Sequence, residues 1–190
     1  KSTYSAALSL ELPKHHINQL TTGVNWEYQN NESGGWGFML PDFSAQSFGA
    51  FLYDNIYLSE SFQLNLGLRY DLGNISSRAY YDWFSTLVES DNINIQRSQE
   101  INKWFGSFSW AIGLKKKIED LSLKINLGKS FRMPTAKELA SNGINYHMFR
   151  YEKGDSNLDS EQSYQIDLGI EYSRNKWNLE INPFANYFPN

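Results

Sequence analysis

The stretch FQLNLGLRYD, residues 62–71, decides the fold. Phe62, Leu64, Leu66, Leu68 and Tyr70 alternate with Gln63, Asn65, Gly67, Arg69 and Asp71. Strand side chains point to opposite faces with period two, so this segment has one apolar and one polar face. The same alternation recurs over 4–12, 19–28, 104–114, 121–128 and 164–172, and it opens 177–188 with Trp177, Leu179 and Ile181. Residues 47–58 are less regular but rich in aromatic and β-forming residues. The chain is therefore expected to be all-β, with about eight strands. PTAKELASNG, 134–143, is expected to form a short helical turn, with Pro134 in its first turn and Gly143 as its stop.

The apolar face meets either a protein core or lipid. The connections bear on the choice. Those at 13–18, 59–61, 117–120 and 173–176 are short, whereas 29–44, 72–101 and 130–162 are long. In an antiparallel up-and-down meander, that alternation puts every long loop at one end and every tight turn at the other. Outer-membrane barrels are built this way, with an apolar outer face, a wetted interior and tilted strands of about 9–11 residues. Tyr28, Tyr70, Trp104, Tyr172 and Trp177 stand near strand ends, where amphipathic rings suit a membrane interface. The lipid-facing set is then Leu64, Leu66, Leu68, Ile125, Leu127, Ile166 and Leu168.

Composition narrows the classes. The 190 residues carry a net charge of −4, so no basic footprint points to nucleic acid. There are no cysteines, which excludes disulfides and thiolate metal sites. Mean hydropathy is −0.55, and no apolar run is long enough for a spanning helix. A barrel keeps such an average because only alternate residues face lipid. Adjacent His15 and His16 would point to opposite faces of a strand, and His147 stands alone. DSNLDSE, 155–161, places oxygens at alternate positions but lacks the glycine and terminal glutamate of a calcium loop. The residues call for no metal, no cofactor and no enzymatic chemistry.

Residues 128–170 carry a more specific signal. Phe131, Arg132, Pro134, Glu138, Leu139, Glu152, Gly154, Asp155, Leu158 and Glu161 resemble, in order, a late-barrel motif of TonB-dependent outer-membrane receptors. FLYDNIYLSESFQLNLGLRYD, 51–71, is similar to the family's recurring hairpin, and NPFANYF, 182–188, to the strand that follows. The resemblance implies a segment, residues 1–190, of a larger transmembrane β-barrel in the outer membrane of a Gram-negative bacterium. It further implies a barrel of about 22 strands plugged by an N-terminal domain that contacts the TonB complex. No plug or TonB-contacting segment is found here, and the chain ends Phe188-Pro189-Asn190 without a terminal aromatic strand; an internal piece is expected. The implied function is import of a scarce nutrient such as a ferric siderophore or haem, with outer-membrane lipid, the TonB complex and a small nutrient ligand as partners. A complete eight-stranded outer-membrane barrel and a soluble sandwich or lipocalin-like binder remain as alternatives. On the receptor reading the long loops lie outside the cell. Trp36, Phe38, Tyr80, Tyr81, Trp83, Phe84, Tyr146, Phe149 and Tyr151 then offer rings, and Arg78, His147 and Arg150 offer donors for an anionic ligand.

Overall fold

Eight rungs of one antiparallel meander make up the main sheet of the computed structural model, which describes residues 1–15, 17–33, 40–145 and 148–189. Trp36, Phe38, Tyr146, His147 and His16 lie outside the described residues. In chain order the strands are β1 (Ser2–Glu11), β2 (Asn18–Asn31), β3 (Phe43–Ser59) and β4 (Phe62–Ser77), then the short loop strands β5 (Tyr80–Tyr81), β6 (Thr86–Val88), β7 (Asp91–Ile93) and β8 (Gln96–Ser98). They continue as β9 (Ile101–Ile118), β10 (Leu121–Arg132), helix α1 (Ala136–Ala140), β11 (Asn142–Asn145), β12 (Arg150–Lys153), β13 (Glu161–Arg174), β14 (Trp177–Ile181) and β15 (Phe184–Tyr187). The sheet order is β1-β2-β3-β4-β9-β10-β13, with β14 and β15 both on β13. β14 and β15 are one strand in register: Ile170 faces Ile181 and Asp167 faces Phe184. Pro183 interrupts it because it has no N–H to donate, yet its carbonyl still accepts from the Leu168 N–H at 2.9 Å.

Tight turns close the short end. Glu119 and Asn175 adopt left-handed backbone there, with φ of 50° and 55°; Asn tolerates this conformation more readily than Glu.

The register reveals a tilt. Asn18, at the start of β2, lies in one cross-strand row with Ile56, Leu64, Leu114, Ile125 and Leu168. Leu168 stands six residues short of Arg174, where β13 ends. If the turns share a plane, five inter-strand steps (~24 Å) accompany a drop of six residues (~20 Å). That corresponds to a tilt of about 40°, within the range of transmembrane barrels.

The faces answer the choice left open by the sequence. Leu66, Leu68, Tyr70 and Leu72 of β4 are exposed, at 37–53%, while Asn65, Arg69 and Asp71 between them are half-buried. Ile125, Leu127, Ile166 and Leu168 are exposed on the same outward face. The inward polar face is cross-linked. Arg69 donates to both carboxylate oxygens of Asp71 at 2.5 and 2.7 Å, and across β3 to Asn25 Oδ1 at 2.7 Å. It passes over Gly49, where a Cβ would lie 2.3 Å from the guanidinium, so the glycine makes the crossing possible. Phe62 and Tyr70, and Tyr172 and Tyr164, are eight residues apart on the outward face. At this tilt eight residues descend about 20 Å, close to the roughly 25 Å apolar band of such barrels.

The strands run further than the alternation indicated. The segments expected at 47–58, 62–71 and 104–114 are Phe43–Ser59, Phe62–Ser77 and Ile101–Ile118. The reason is an inversion at the long-loop end. There most inward residues turn apolar (Phe43, Ala45, Ile75, Ile101, Phe105; Ser77 and Lys103 excepted) and most outward ones polar (Ser44, Gln46, Asn74, Ser76, Asn102; Trp104 excepted).

Candidate functional site

The described residues hold one buried apolar cluster, and it lies at this inverted end. Ile75, Ile101 and Phe105 on the inward face meet Ala136, Leu139 and Ala140 of α1, with Phe43, Ala45 and Met133 against them. Leu139 is only 1% exposed. The connection between β10 and β13 therefore folds inward, over the mouth of the concave face.

A helix of five residues does not stand alone; caps and tertiary bonds hold it. Thr135 is the N-cap, and its hydroxyl accepts from the Glu138 N–H while the Glu138 carboxylate accepts from the Thr135 N–H at 2.7 Å. Pro134 thus precedes the cap and does not begin the helix. The chain leaves α1 in extended conformation at Ser141, and Gly143 belongs to β11, paired with Glu152. The helix expected over 134–143 is shorter because the β11–β12 hairpin competes for its last residues.

Arg132 staples the loop shut. Two guanidinium nitrogens donate to the Glu138 carboxylate, each at 2.9 Å, and Nε donates to Glu161 at 3.0 Å. One side chain thus joins the end of β10, the helix and the start of β13. Arg132 above all, then the Thr135 donors, hold the Glu138 carboxyl down at about 2. The loop's return is fixed by backbone bonds: Gly154 N–H to the Ser141 carbonyl at 2.6 Å, and Asp155 N–H to the Glu138 carbonyl at 2.8 Å. A Cβ on Gly154 would lie 2.7 Å from that Glu138 oxygen, so only glycine permits the approach. Glu152 binds Lys137 and also Arg150 at 2.7 Å, with Asn145 at 3.1 Å. Lys137, then Arg150, hold its carboxyl at about 2. The Asp155 carboxylate accepts from the Asn157 N–H at 2.9 Å, and Asp159 lies 3.6 Å from Lys103. The alternating oxygens of 155–161 serve this turn and this ion pair.

The motif positions thus become one clasp. Arg132, Pro134, Glu138, Leu139, Glu152, Gly154, Asp155 and Glu161 converge in it. Leu158 contributes its carbonyl, which accepts from Lys103 Nζ at 2.7 Å. Phe131 does not join. It lies on the outward face, opposite Gln162.

The expected ligand-contacting residues divide between two hairpins. Arg150 and Tyr151 line a groove of about 550 Å³ with Thr135, Lys137, Glu138, Glu152 and Lys153. The Tyr151 hydroxyl donates to Asn142, which braces the hairpin. Phe149, at its tip, is 93% exposed. Arg78, Tyr80, Tyr81, Trp83 and Phe84 belong to the other loop. Trp83 is 67% exposed, its ring edge-on to Phe84 at 5.3 Å. Tyr80 faces Ser98 across β5 and β8. The Arg78 N–H reaches the Asp42 carbonyl at 3.0 Å. Between the hairpins run a Ser98–Ser141 bridge and an Asn142 Nδ2 bond to the Gln96 carbonyl at 2.7 Å, so they flank one mouth. Sequence reasoning missed two members of this architecture. The Asp82–Arg97 pair, 2.8 Å apart with the Asp82 carboxylate buried, stabilises the first hairpin, and no local signal joins residues so placed. Lys137 could have been found from its position one residue before the motif Glu138.

A family model described as "TonB dependent receptor-like, beta-barrel" matches residues 2–190. No curated protein sequence gives a significant match. Among solved structures, the fold is similar to the copper transporter OprC, with a TM-score of 0.73 and 16% identity over 97% of this chain and 30% of that one. It is also similar to the Serratia marcescens hemophore receptor HasR, solved with its hemophore and heme (0.72, 16%, 97% and 32%). The siderophore receptor PirA from Pseudomonas aeruginosa gives 0.67 at 22% identity over 97% and 31%. The chain spans about a third of the length of these structures. At such identities the likeness is one of fold.

Proposed function

Because the chain belongs to the TonB-dependent receptor β-barrel family, we propose that it is an eight-stranded arc of an outer-membrane transporter that imports a scarce nutrient. Residues 1–190 form one barrel segment. Further strands complete the wall, and a plug domain links it to the TonB complex. The long-loop end faces the outside of a Gram-negative cell, and the protein moves its ligand without chemically altering it. The observation that carries this reading is the reversal of ordinary burial: exposed leucines and isoleucines outside, a hydrogen-bonded polar net inside. In water such a surface would aggregate; in lipid it is the stable arrangement.

The ligand is a small iron chelate, a ferric siderophore or haem. Receptors for heme and for siderophores are among the similar folds. The groove beside the clasp also has suitable chemistry. Lys137, Arg150 and Lys153 line it beside Glu138 and Glu152, Tyr151 supplies a ring, and Lys153 pairs with no carboxylate among the described residues. Arg150, anchored through Nε by Glu152, keeps its two terminal nitrogens for carboxylate or catecholate oxygens. Arg78, Tyr80 and Trp83 of the other long loop, and Trp36, Tyr146 and His147 in the sequence, are further candidates for ligand contact.

Uptake of labelled ferric siderophores, haem and copper, by cells with and without the full receptor, tests the reading. Receptor-dependent uptake of an iron chelate is expected, with binding weakened about tenfold by Arg150→Ala, as for loss of one charge-assisted contact of roughly 1.5 kcal/mol. Unchanged binding by Arg150→Ala, His147→Ala and Trp83→Ala at normal surface levels would reduce these loops to packing.

A further inference from the structure

Lys129 is a cation on the outward face. It lies opposite Trp110 on β9 and Tyr164 on β13. Below it on that face stand Leu127, Ile112 and Ile166; above it stand Phe131, Phe108 and Gln162. No carboxylate among the described residues shares this face on β9, β10 or β13. Its depth is fixed by register. Leu121 faces Tyr172 at the short-turn end of the apolar band, and Lys129 faces Tyr164 eight residues higher. Tyr70 stands the same eight residues above Phe62 on β4. Lys129 thus belongs to the upper aromatic belt, where a lysine extends its stem along apolar neighbours and lifts its ammonium to the headgroup plane.

An ammonium at that plane, with no protein anion beside it, is matched by an anion of the lipid. We infer that Lys129, framed by Trp110, Tyr164 and Phe131, is a binding site for a phosphate-bearing lipid of the outer leaflet. The rings pack against acyl chains and the ammonium pairs with a headgroup phosphate. This inference rests on the transmembrane reading above and is separate from ligand import.

The test uses the full receptor reconstituted in vesicles of phosphatidylcholine, with or without lipid A as the phosphate-bearing lipid. The wild-type protein should retain lipid A through detergent extraction and size exclusion. Lys129→Met should retain about fivefold less, the share of one basic residue at an anionic surface. Lys129→Arg should restore retention, which separates the charge from a folding defect. Equal retention by wild type and Lys129→Met would overturn the site, as would no preference of the wild type for lipid A. Failure of the wild type to insert into either vesicle would instead overturn the transmembrane reading, and this site with it.

Discussion

Two stretches of a single strand, β4, face opposite ways in chemistry. From Phe62 to Leu72 the outward residues are Leu, Leu, Leu, Tyr and Leu after Phe62, and the inward ones are Gln, Asn, Gly, Arg and Asp. From Gly73 to Ser77 the outward residues are Asn74 and Ser76, and inward Ile75 is buried under α1. The backbone ladder to β3 and β9 does not change between them. What changes is the surroundings. In the lower stretch lipid lies outside and a polar interior inside; in the upper stretch a hydrogen-bonded polar surface lies outside, with Asn74 bonded to Asn102, and a folded loop lies inside. A strand's apolar side therefore marks the less polar neighbour, not the protein core.

The largest test of the comparison is at the upper stretch. Leu139→Ala empties the centre of the cluster on Ile75 and should cost about 2–5 kcal/mol of local stability. Faster hydrogen exchange of 133–160, with the lower strands still protected, is the expected outcome. In the lower stretch, Leu66→Arg should cost roughly 2–4 kcal/mol at mid-bilayer and reduce the heat-modifiable folded form on gels. Asn65→Arg, one residue away, should leave it near the wild-type level. Equal effects at 65 and 66 would break the contrast.

Glycines sharpen it on a smaller scale. Gly154→Ala drives a Cβ into helix backbone and should loosen the clasp by about 1–3 kcal/mol, read by proteolysis of 133–160. Gly67→Ala meets nothing closer than 3.6 Å and should be neutral.

Acid should open the clasp and spare the band. Glu138 and Glu152 have folded values near 2 against an ordinary 4.5. Their contribution is complete above pH 4.5 and is lost as pH falls toward 2. Glu138 is partly exposed, so solvent screening keeps the effect small. Exchange protection in the clasp should drop within that window while strand dichroism holds.

The lower stretch was legible in the sequence because its alternation is strict and its loop lengths alternate with it. The upper stretch was not, because at Gly73 the polarity reverses. A period-two pattern that changes phase looks like the start of a loop, which is why 72–77 reads as part of the 72–101 connection. The clasp residues were legible as an ordered motif, but their roles were not. That Arg132 reaches both Glu138 and Glu161 depends on β10 and β13 being neighbours. The helix limits followed from Thr135 and Glu138, a capping box present in the sequence, whereas Pro134 and Gly143 misdirected them.

This segment has no cysteine, so in a full receptor with any cysteines elsewhere replaced by serine, single spin labels can be placed along β4 in lipid. Collision rates with oxygen, which concentrates in lipid, and with a water-soluble nickel chelate would be measured at each position from 62 to 77. Oxygen should dominate at 64, 66, 68 and 70, and nickel at 65, 67 and 69. Beyond 73, nickel should reach 76, while buried 74, 75 and 77 admit neither. Nickel dominating at 66 and 68, or an alternation that keeps its phase through 77, would contradict the account.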